Sequence, residues 1–402
     1  MGESQKTERK SAAAVSTLHR AILLGSLSFG ILGFSLPIYA KQMGASALDI
    51  GGMMSIFAVM ITIARPLVGW GIDHFGRKLF LVISFLFYGI AMGLFAVAQN
   101  VTMLYLARFV QGIGSSLLWI PAYTVATELS EHDWGRAVGS VDMSSNRGGF
   151  FGSFIGFGLM LLVNPFALAW QISFVIYGIM TWIASLLIWR GVPETRASQG
   201  SSLPAEGNQL NRNRLFRLMS IVLLTSISTA MISPLLMIFL QDRFTTDVGT
   251  LARAFIPAAL AYAYLPGYMG GLSDRFGRTP LMAIGLVGSG LVSLLMPLMT
   301  SLTMLSILWL LEAAGFSAAS PAQGALVADL TGKNVRGTGY GLYTLASGLG
   351  FVLGPLLGGW LYDASGHAIP FYVNGIALFV GAFLVVLLLG GTREGSGPLN
   401  AS

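Results

Sequence analysis

Apolar residues run along most of this chain in stretches of about twenty, broken by short polar or glycine-containing segments. A stretch of that length lets an α-helix cross the hydrocarbon core of a bilayer. Twelve spans are predicted: 19–41, 49–71, 79–98, 102–126, 138–162, 167–189, 217–240, 251–272, 280–299, 302–327, 339–361 and 369–390. Only one long polar stretch separates them, 194–216, rich in Ser, Asn, Gln and Arg, and it reads as a flexible linker. The expected fold class is therefore an all-α membrane protein of twelve transmembrane helices in two six-helix bundles, residues 1–193 and 217–402.

Composition agrees with the pattern. Hydrophobic residues make up 54% of the 402 residues and charged residues 10%, against about 25% charged in soluble domains. Mean hydropathy is +0.73. A surface so poor in charge has to face lipid. The 51 glycines suit helices that pack closely in a bilayer. With no cysteine there is no disulfide framework and no thiolate metal site. A net charge of +6 would suggest nucleic acid in a soluble protein, but here it asks first for a topological reading. Residues 1–16 are polar and basic, with no short apolar segment ending in a cleavage site, so no removable signal peptide is expected.

Lys and Arg set the orientation. With the N-terminus inside, seventeen of the 23 fall in cytoplasmic segments, only Lys41, Arg243 and Arg253 fall outside, and Arg65, Arg108 and Arg147 lie within spans. That bias predicts both termini on the cytoplasmic face of a multi-pass plasma-membrane protein.

The two halves repeat. Gly69, Asp73, Gly76, Arg77 and Lys78 follow the second span, and Gly270, Asp274, Gly277 and Arg278 follow the eighth, 201 residues later. Glu128 at the end of the fourth span matches Asp329 at the end of the tenth. Gly148, Gly152 and Gly156 match Gly350, Gly354 and Gly358 at an offset of 202. A spacing shared by several elements indicates a tandem duplication. An even number of helices per unit makes the repeats parallel, related by an axis along the membrane normal.

The loop pattern G-x-x-x-D-[RK]-x-G-[RK]-[RK], present twice, resembles the signature of the major facilitator superfamily over essentially the whole chain. The first copy departs at His74 and the second at Thr279. Arg108-x-x-Gln111-Gly112-x-Gly114 resembles a motif of proton-driven members, especially drug exporters. Gly350-x-x-x-Gly354-Pro355-x-x-Gly358-Gly359 resembles the antiporter motif, which in that family lies in the fifth helix. Here the good match is in the eleventh, and the fifth-span copy has Ser153 in place of the proline. The resemblance implies alternating access and a monomer carrying a small-molecule substrate through the lipid bilayer, with protons as the coupling ion. No nucleic acid, cofactor or metal is expected.

The chemistry follows from charge placed where water is scarce. The loop glycines let helix ends approach, and Asp73 and Asp274 can face the positive N-terminus of a helix. Arg77 and Arg278 can reach Glu128 or Glu131, and Asp329, forming a latch that closes one side. The alternative is that these charges only anchor loops. Within the spans lie two carboxylates, Asp142 and Glu312. A carboxyl held away from water, as Glu312 should be in mid-helix, can exchange a proton near physiological pH. Proton coupling through Glu312 or Asp142, assisted by Arg108 and Arg147, is one reading. A fixed ion pair to an arginine and direct binding of a cationic substrate are the others. Asp142 and Arg147 stand five apart and do not face each other on one helix.

By the resemblance, the first, fourth, seventh and tenth helices supply substrate contacts. The candidates are Phe34, Gln111, Ser115, Trp119, Met231, Trp309 and Glu312, with Tyr262 and Tyr264 from the eighth helix. Aromatics and Met suit an adaptable apolar pocket and are equally ordinary packing residues. Pro37, Pro121, Pro234 and Pro321 stand in matched helices, where each removes a backbone hydrogen bond.

The sum is a secondary transporter, read first as a proton-coupled exporter of small amphipathic or cationic compounds. The alternatives are a symporter or uniporter that takes up a nutrient, and a non-transporting membrane sensor. No P-loop, metal-ligand cluster or triad points to an enzyme or an ATP-driven pump.

Overall fold

A computed structural model of the chain describes residues 2–129, 134–195, 212–331 and 336–389. Most of the expected linker, and Glu131 and Lys333, fall outside them, as do the side chains of Asp73, Gly270, Asp274, Pro321 and Asp329. The chain divides into two compact units, Met1–Ser202 and Leu203–Ser402.

The first unit is built from α1 (Gly2–Gly25), α2 (Leu27–Gln42), α3 (Ala47–Phe75), α4 (Arg77–Val97), α5 (Val101–Glu128), α6 (Trp134–Leu162) and α7 (Phe166–Gly191). The second has α8 (Arg212–Ile232), α9 (Leu235–Arg243), α10 (Val248–Phe276), α11 (Arg278–Leu295), α12 (Leu302–Thr331), α13 (Arg336–Ser365) and α14 (Ile369–Leu389). The described residues contain no strand. Two of the breaks lie inside single apolar spans, Lys10–Gln42 and Asn213–Arg243. Joining them leaves one helical rod for each of the twelve predicted spans. Ten of the rods meet length and hydropathy criteria for a membrane span. Helix α6, the fifth rod, is not among them, because Asp142, Ser144, Ser145, Asn146 and Arg147 make its first half polar.

The two interior breaks have different origins. Between α8 and α9 stands Pro234, which has no N–H to continue the ladder. Between α1 and α2 stands Ser26, with no proline: Ser26 N bonds Ile22 O at 3.0 Å, and Phe29 N then bonds Ser26 O at 3.0 Å, a three-residue step. Pro37 and Pro121 lie inside the continuous helices α2 and α5. Matched prolines thus do not produce matched breaks. The first rod also begins earlier than its hydropathy suggests. The polar residues before position 19 continue the helix, since Ala12–Ala14 favour it and neither glycine nor proline interrupts positions 3–24.

Each unit pairs its helices in the same way. Helix α4 packs on α5 and α7, and α11 on α12 and α14. Helix α3 packs on α5, and α10 on α12. Helix α6 lies along α1 and α2, and α13 along α8. Glycine makes the last contacts possible. A Cβ at Gly152 would overlap the Leu27 carbonyl oxygen, and one at Gly354 the Ile227 carbonyl oxygen. Only hydrogen fits there.

Both cores are apolar and carry a few hydrogen-bonded polar groups. In unit 1 the buried Trp170 stacks on Tyr39 at 4.2 Å and donates from Nε1 to Phe95 O at 2.7 Å. In unit 2 Leu218, Val222, Met282, Ala322 and Val385 pack together. Beside them Asn374 donates to Ser293 Oγ at 2.9 Å and accepts from Ser228. Such side-chain bonds add to helix–helix cohesion where lipid offers no partner. Large apolar side chains also face outward, Phe154 at 76% and Leu162 at 85% exposure, as a lipid-facing surface requires.

Candidate functional site

The repeated loop pattern sits where α3 turns into α4 and where α10 turns into α11. Gly76 has φ +90° and Gly277 φ +92°, a region glycine enters without strain. Each caps one helix and starts the next, so the basic residue after it lies at a helix N-terminus.

In unit 1 that residue, Arg77, is buried at 3% exposure and joins three elements. Its Nη2 lies 3.2 Å from Glu128 Oε1 at the end of α5. Its Nη1 donates to Ile72 O at 3.0 Å, at the C-terminal end of α3. Its backbone N–H donates to Glu194 Oε1 at 2.6 Å. A guanidinium at a helix C-terminus and a carboxylate at a helix N-terminus both complement the macrodipole. Lys78 lies beside them with Nζ 5.6 Å from the Trp189 ring centre. Glu194 belongs to the site although its position put it in the linker. The signal was available, since an acid just after the sixth span lies near the loop between the second and third.

In unit 2 Arg278 Nη1 donates to Ala325 O at 2.5 Å, one turn before Asp329 on α12. Not every glycine of the pattern serves close approach. A Cβ at Gly69 would meet nothing within 4 Å.

Within unit 1, Arg108 on α5 is buried and held by neutral groups. Its Nη1 donates to Gln111 Oε1 at 2.7 Å and its Nε to Met53 O at 3.3 Å. Its Nη2 lies 2.9 Å from Met54 Sδ, and its Cζ sits 4.2 Å from the Phe57 ring centre. No carboxylate bonds it among the described residues. Ser115 is buried on the same helix, and Trp119 stacks on Tyr123 at 5.9 Å. Asp142 is exposed and accepts a 2.6 Å hydrogen bond from Tyr123. Arg147 is exposed one and a half turns further along α6 and does not meet Asp142. Phe34 is buried edge-to-face on Phe157 at 4.8 Å.

In unit 2, α10 and α12 close on one another along four contacts. Ser306 donates to Ala254 O at 2.6 Å, Trp309 packs on Phe255 at 4.6 Å, Glu312 accepts from the Tyr262 hydroxyl, and Phe316 meets the Tyr262 ring at 5.7 Å. Glu312 is thus partnered by a phenol. No arginine bonds it among the described residues. Of the two tyrosines of the eighth span, Tyr264 is 69% exposed and Tyr262 makes the contact. Met231 is buried, its backbone against the position of Gly358 on α13, a packing contact between helices.

Comparison with known proteins agrees with this architecture. The family model described as Major Facilitator Superfamily matches residues 21–225 and again 218–402. The chain is 26% identical over 384 residues to Multidrug resistance protein 1 of Bacillus subtilis (strain 168), covering 91% of this chain and 95% of that one. It is 23% identical over 382 residues to Quinolone resistance protein NorA of Staphylococcus aureus (strain MSSA476), covering 93% and 96%. Among solved structures it resembles a bacterial homologue of the human lysosomal transporter Spinster in an inward-facing, occupied conformation. The TM-score is 0.75 at 17% identity, over 93% of this chain and 96% of that one. It also resembles the human organic anion transporter MFSD10 (TETRAN), with TM-score 0.68 at 18% identity, over 94% and 99%. A duplicated six-helix unit, the glycine-turned basic loop in both copies and a family match spanning both halves lead to one conclusion: the chain is a multi-pass membrane transporter and belongs to the Major Facilitator Superfamily.

Proposed function

We propose that this transporter exports small amphipathic or cationic compounds in exchange for protons, by alternating access. The observation that carries the reading is the Glu312–Tyr262 hydrogen bond on α12 and α10, with no arginine bonded to the carboxylate among the described residues. A carboxylate locked to a guanidinium would hold its charge through the cycle. One bonded to a phenol is free to exchange a proton or to accept a cationic compound in its place. Trp309, one turn away and packed on Phe255, supplies an aromatic wall beside it. The names of the relatives, multidrug and quinolone resistance proteins, support export of compounds foreign to the cell.

Arg108 is the supporting element in unit 1, poised by Gln111 and the Met53 carbonyl and with no carboxylate bonded to it among the described residues. Asp142, bonded by Tyr123, is the second candidate for proton exchange. Arg77 and Glu128 act as a latch whose opening accompanies the change of access. In this reading the protein works as a monomer in the plasma membrane. The Lys and Arg bias supports both termini on the cytoplasmic side, and the polar stretch 194–216 supports two bundles, 1–193 and 217–402.

The test is flux in liposomes of purified protein under an imposed pH gradient, screened with a fluorescent lipophilic cation, a sugar and an amino acid. Gradient-driven movement of the cation is expected, lost at least tenfold in Glu312→Gln. Flux of the sugar or amino acid alone would replace export with uptake, and Glu312→Gln transporting like wild type would remove Glu312 from coupling.

A further inference from the structure

A cavity of about 600 Å³ opens in unit 1 between α1, the end of α5 and the first half of α6. Three nitrogen-bearing side chains line it, His19 and Arg20 from α1 and Arg147 from α6. Among the described residues no carboxylate lines it. Among the described residues neither Arg20 nor Arg147 makes a hydrogen bond or an ion pair. Two like-charged, exposed guanidinium groups line one cavity, an arrangement that an anion bound between them would favour.

The remaining polar groups divide into occupied and available donors. Ser11 donates to Leu129 O at 2.8 Å and Ser144 to Ser140 O at 2.8 Å, so both hydroxyl protons are committed. Ser140 Oγ lies 2.9 Å from His19 Nε2 and donates to Ala137 O at 2.6 Å. Ser140 therefore accepts from His19, which fixes the imidazole as an Nε2–H donor. The Ser16 hydroxyl, on the cavity wall, has no bonded partner among the described residues. The open donors are thus two planar forks and a hydroxyl, the set that grips a tetrahedral oxyanion. Val15, Leu23 and Leu129 supply an apolar wall beside them.

We infer that this cavity is a binding site for a phosphate group carried on an apolar body, gripped by Arg20 and Arg147. The inference stands apart from the exporter reading: it needs neither proton coupling nor a direction of transport. The phosphate can come from the head group of an anionic phospholipid or from a soluble organic phosphate, and both present the same oxyanion to the same two arginines.

Thermal unfolding of the whole protein in a non-ionic detergent, followed by tryptophan fluorescence, separates the cases. One arm titrates inorganic phosphate against chloride at equal ionic strength. The other titrates phosphatidylglycerol against phosphatidylcholine in mixed micelles. A saturable rise in Tm is expected in at least one arm. Phosphatidylglycerol alone acting assigns the site to lipid, and inorganic phosphate acting as well assigns it to soluble phosphates. Arg20→Gln with Arg147→Gln should weaken the response at least tenfold, and Arg20→Lys with Arg147→Lys should keep a weaker, saturable response. If the double glutamine variant does not fold, each single glutamine variant should weaken the response at least threefold. A rise reproduced by chloride or phosphatidylcholine, no rise in either arm, or glutamine variants responding like wild type would overturn the inference.

Discussion

The Tyr262 hydroxyl donates to the Glu312 carboxylate, joining α10 to α12 inside the second unit. The pair leaves Glu312 with a neutral partner. It also ties the acid to an aromatic row formed by Phe255, Trp309 and Phe316, so a change at the carboxyl can be felt along the α10–α12 contact. Tyr262→Phe keeps the ring and removes the donor. Losing a bond to a charged group costs about 1.5–3 kcal/mol. The expected result is a drop of about ten- to a hundredfold in gradient-driven flux with Tm lowered by only a few degrees, measured side by side in liposomes and by fluorescence melting. Flux equal to wild type would leave the phenol as packing alone.

Arg77 joins three elements of unit 1, and its partners differ in kind. Arg77→Gln leaves Glu128 and the Ile72 carbonyl without it and should lower stability by about 1–3 kcal/mol, since the pair is buried on one side and partly exposed on the other. Glu128→Gln should cost less, because an amide oxygen still accepts. The charge swap Arg77→Glu with Glu128→Arg should fail to recover. It restores opposite charges but points a carboxylate at the carbonyl end of α3. Recovery to wild-type Tm would show that the ion pair alone matters there.

Glu194 caps the start of α4 through the Arg77 and Lys78 backbone N–H groups, at 2.6 and 3.4 Å. Its loss in Glu194→Ala should cost about 0.5–2 kcal/mol, the range for a helix N-cap. Glu194→Gln should cost less. Hydrogen exchange should show the loss confined to the first turn of α4, and a uniform loss over the unit would contradict the capping role.

Two glycines of this sequence should respond in opposite ways to the same methyl group. Gly152→Ala puts a Cβ onto the Leu27 carbonyl oxygen, which is backbone and cannot swing aside. It should separate α6 from α2 and lower Tm by several degrees. Gly69→Ala meets open space in the interior of α3 and should leave Tm unchanged or raise it, as Gly-to-Ala in a helix gains about 0.5–1 kcal/mol. If Gly69→Ala is as stable as wild type yet slow in transport, the residue matters in a second conformation.

Arg108 tests whether a buried cation is read by charge or by shape. Arg108→Lys keeps the charge but cannot reach Gln111, Met53 and the Phe57 face together. Flux at least tenfold below wild type is expected for the lysine variant, comparable to Arg108→Gln. A lysine variant with full flux would mean that charge alone suffices.

The parts legible in the sequence were those that depend on one stretch of chain at a time. The spans follow from hydropathy, and among the described residues twelve rods stand where twelve were expected, within a few residues at most ends. The polar lead-in to α1 is the exception, because hydropathy cannot see a helix made of Ala, Ser and charged residues. The repeat located Gly76 and Gly277, and the structure adds that both hold positive φ. That Arg77 could reach an acid at the end of the fourth span, Glu128 or Glu131, was also legible, since an even number of crossings brings both ends to the same side, and Glu128 is its partner among the described residues.

Partner choice inside the bundles was settled by packing. Tyr262 and Tyr264 stand two positions apart, which on an α-helix turns one about 200° from the other. Composition cannot say which of them faces α12; the rotation of α10 about its axis does, and packing sets that rotation. The same holds for Glu194, which the sequence assigned to a linker and the fold brought to the N-terminus of α4, and for Arg20 and Arg147, which lie 127 residues apart yet line one cavity. Membrane insertion and duplication are properties of local hydropathy and repeated spacing, and they can be read along the chain before any helix has met its neighbours. Which buried charge has a partner, and which is left open for a proton or an anion, depends on the depth and rotation of helices from distant segments, and these exist only once the bundles have packed.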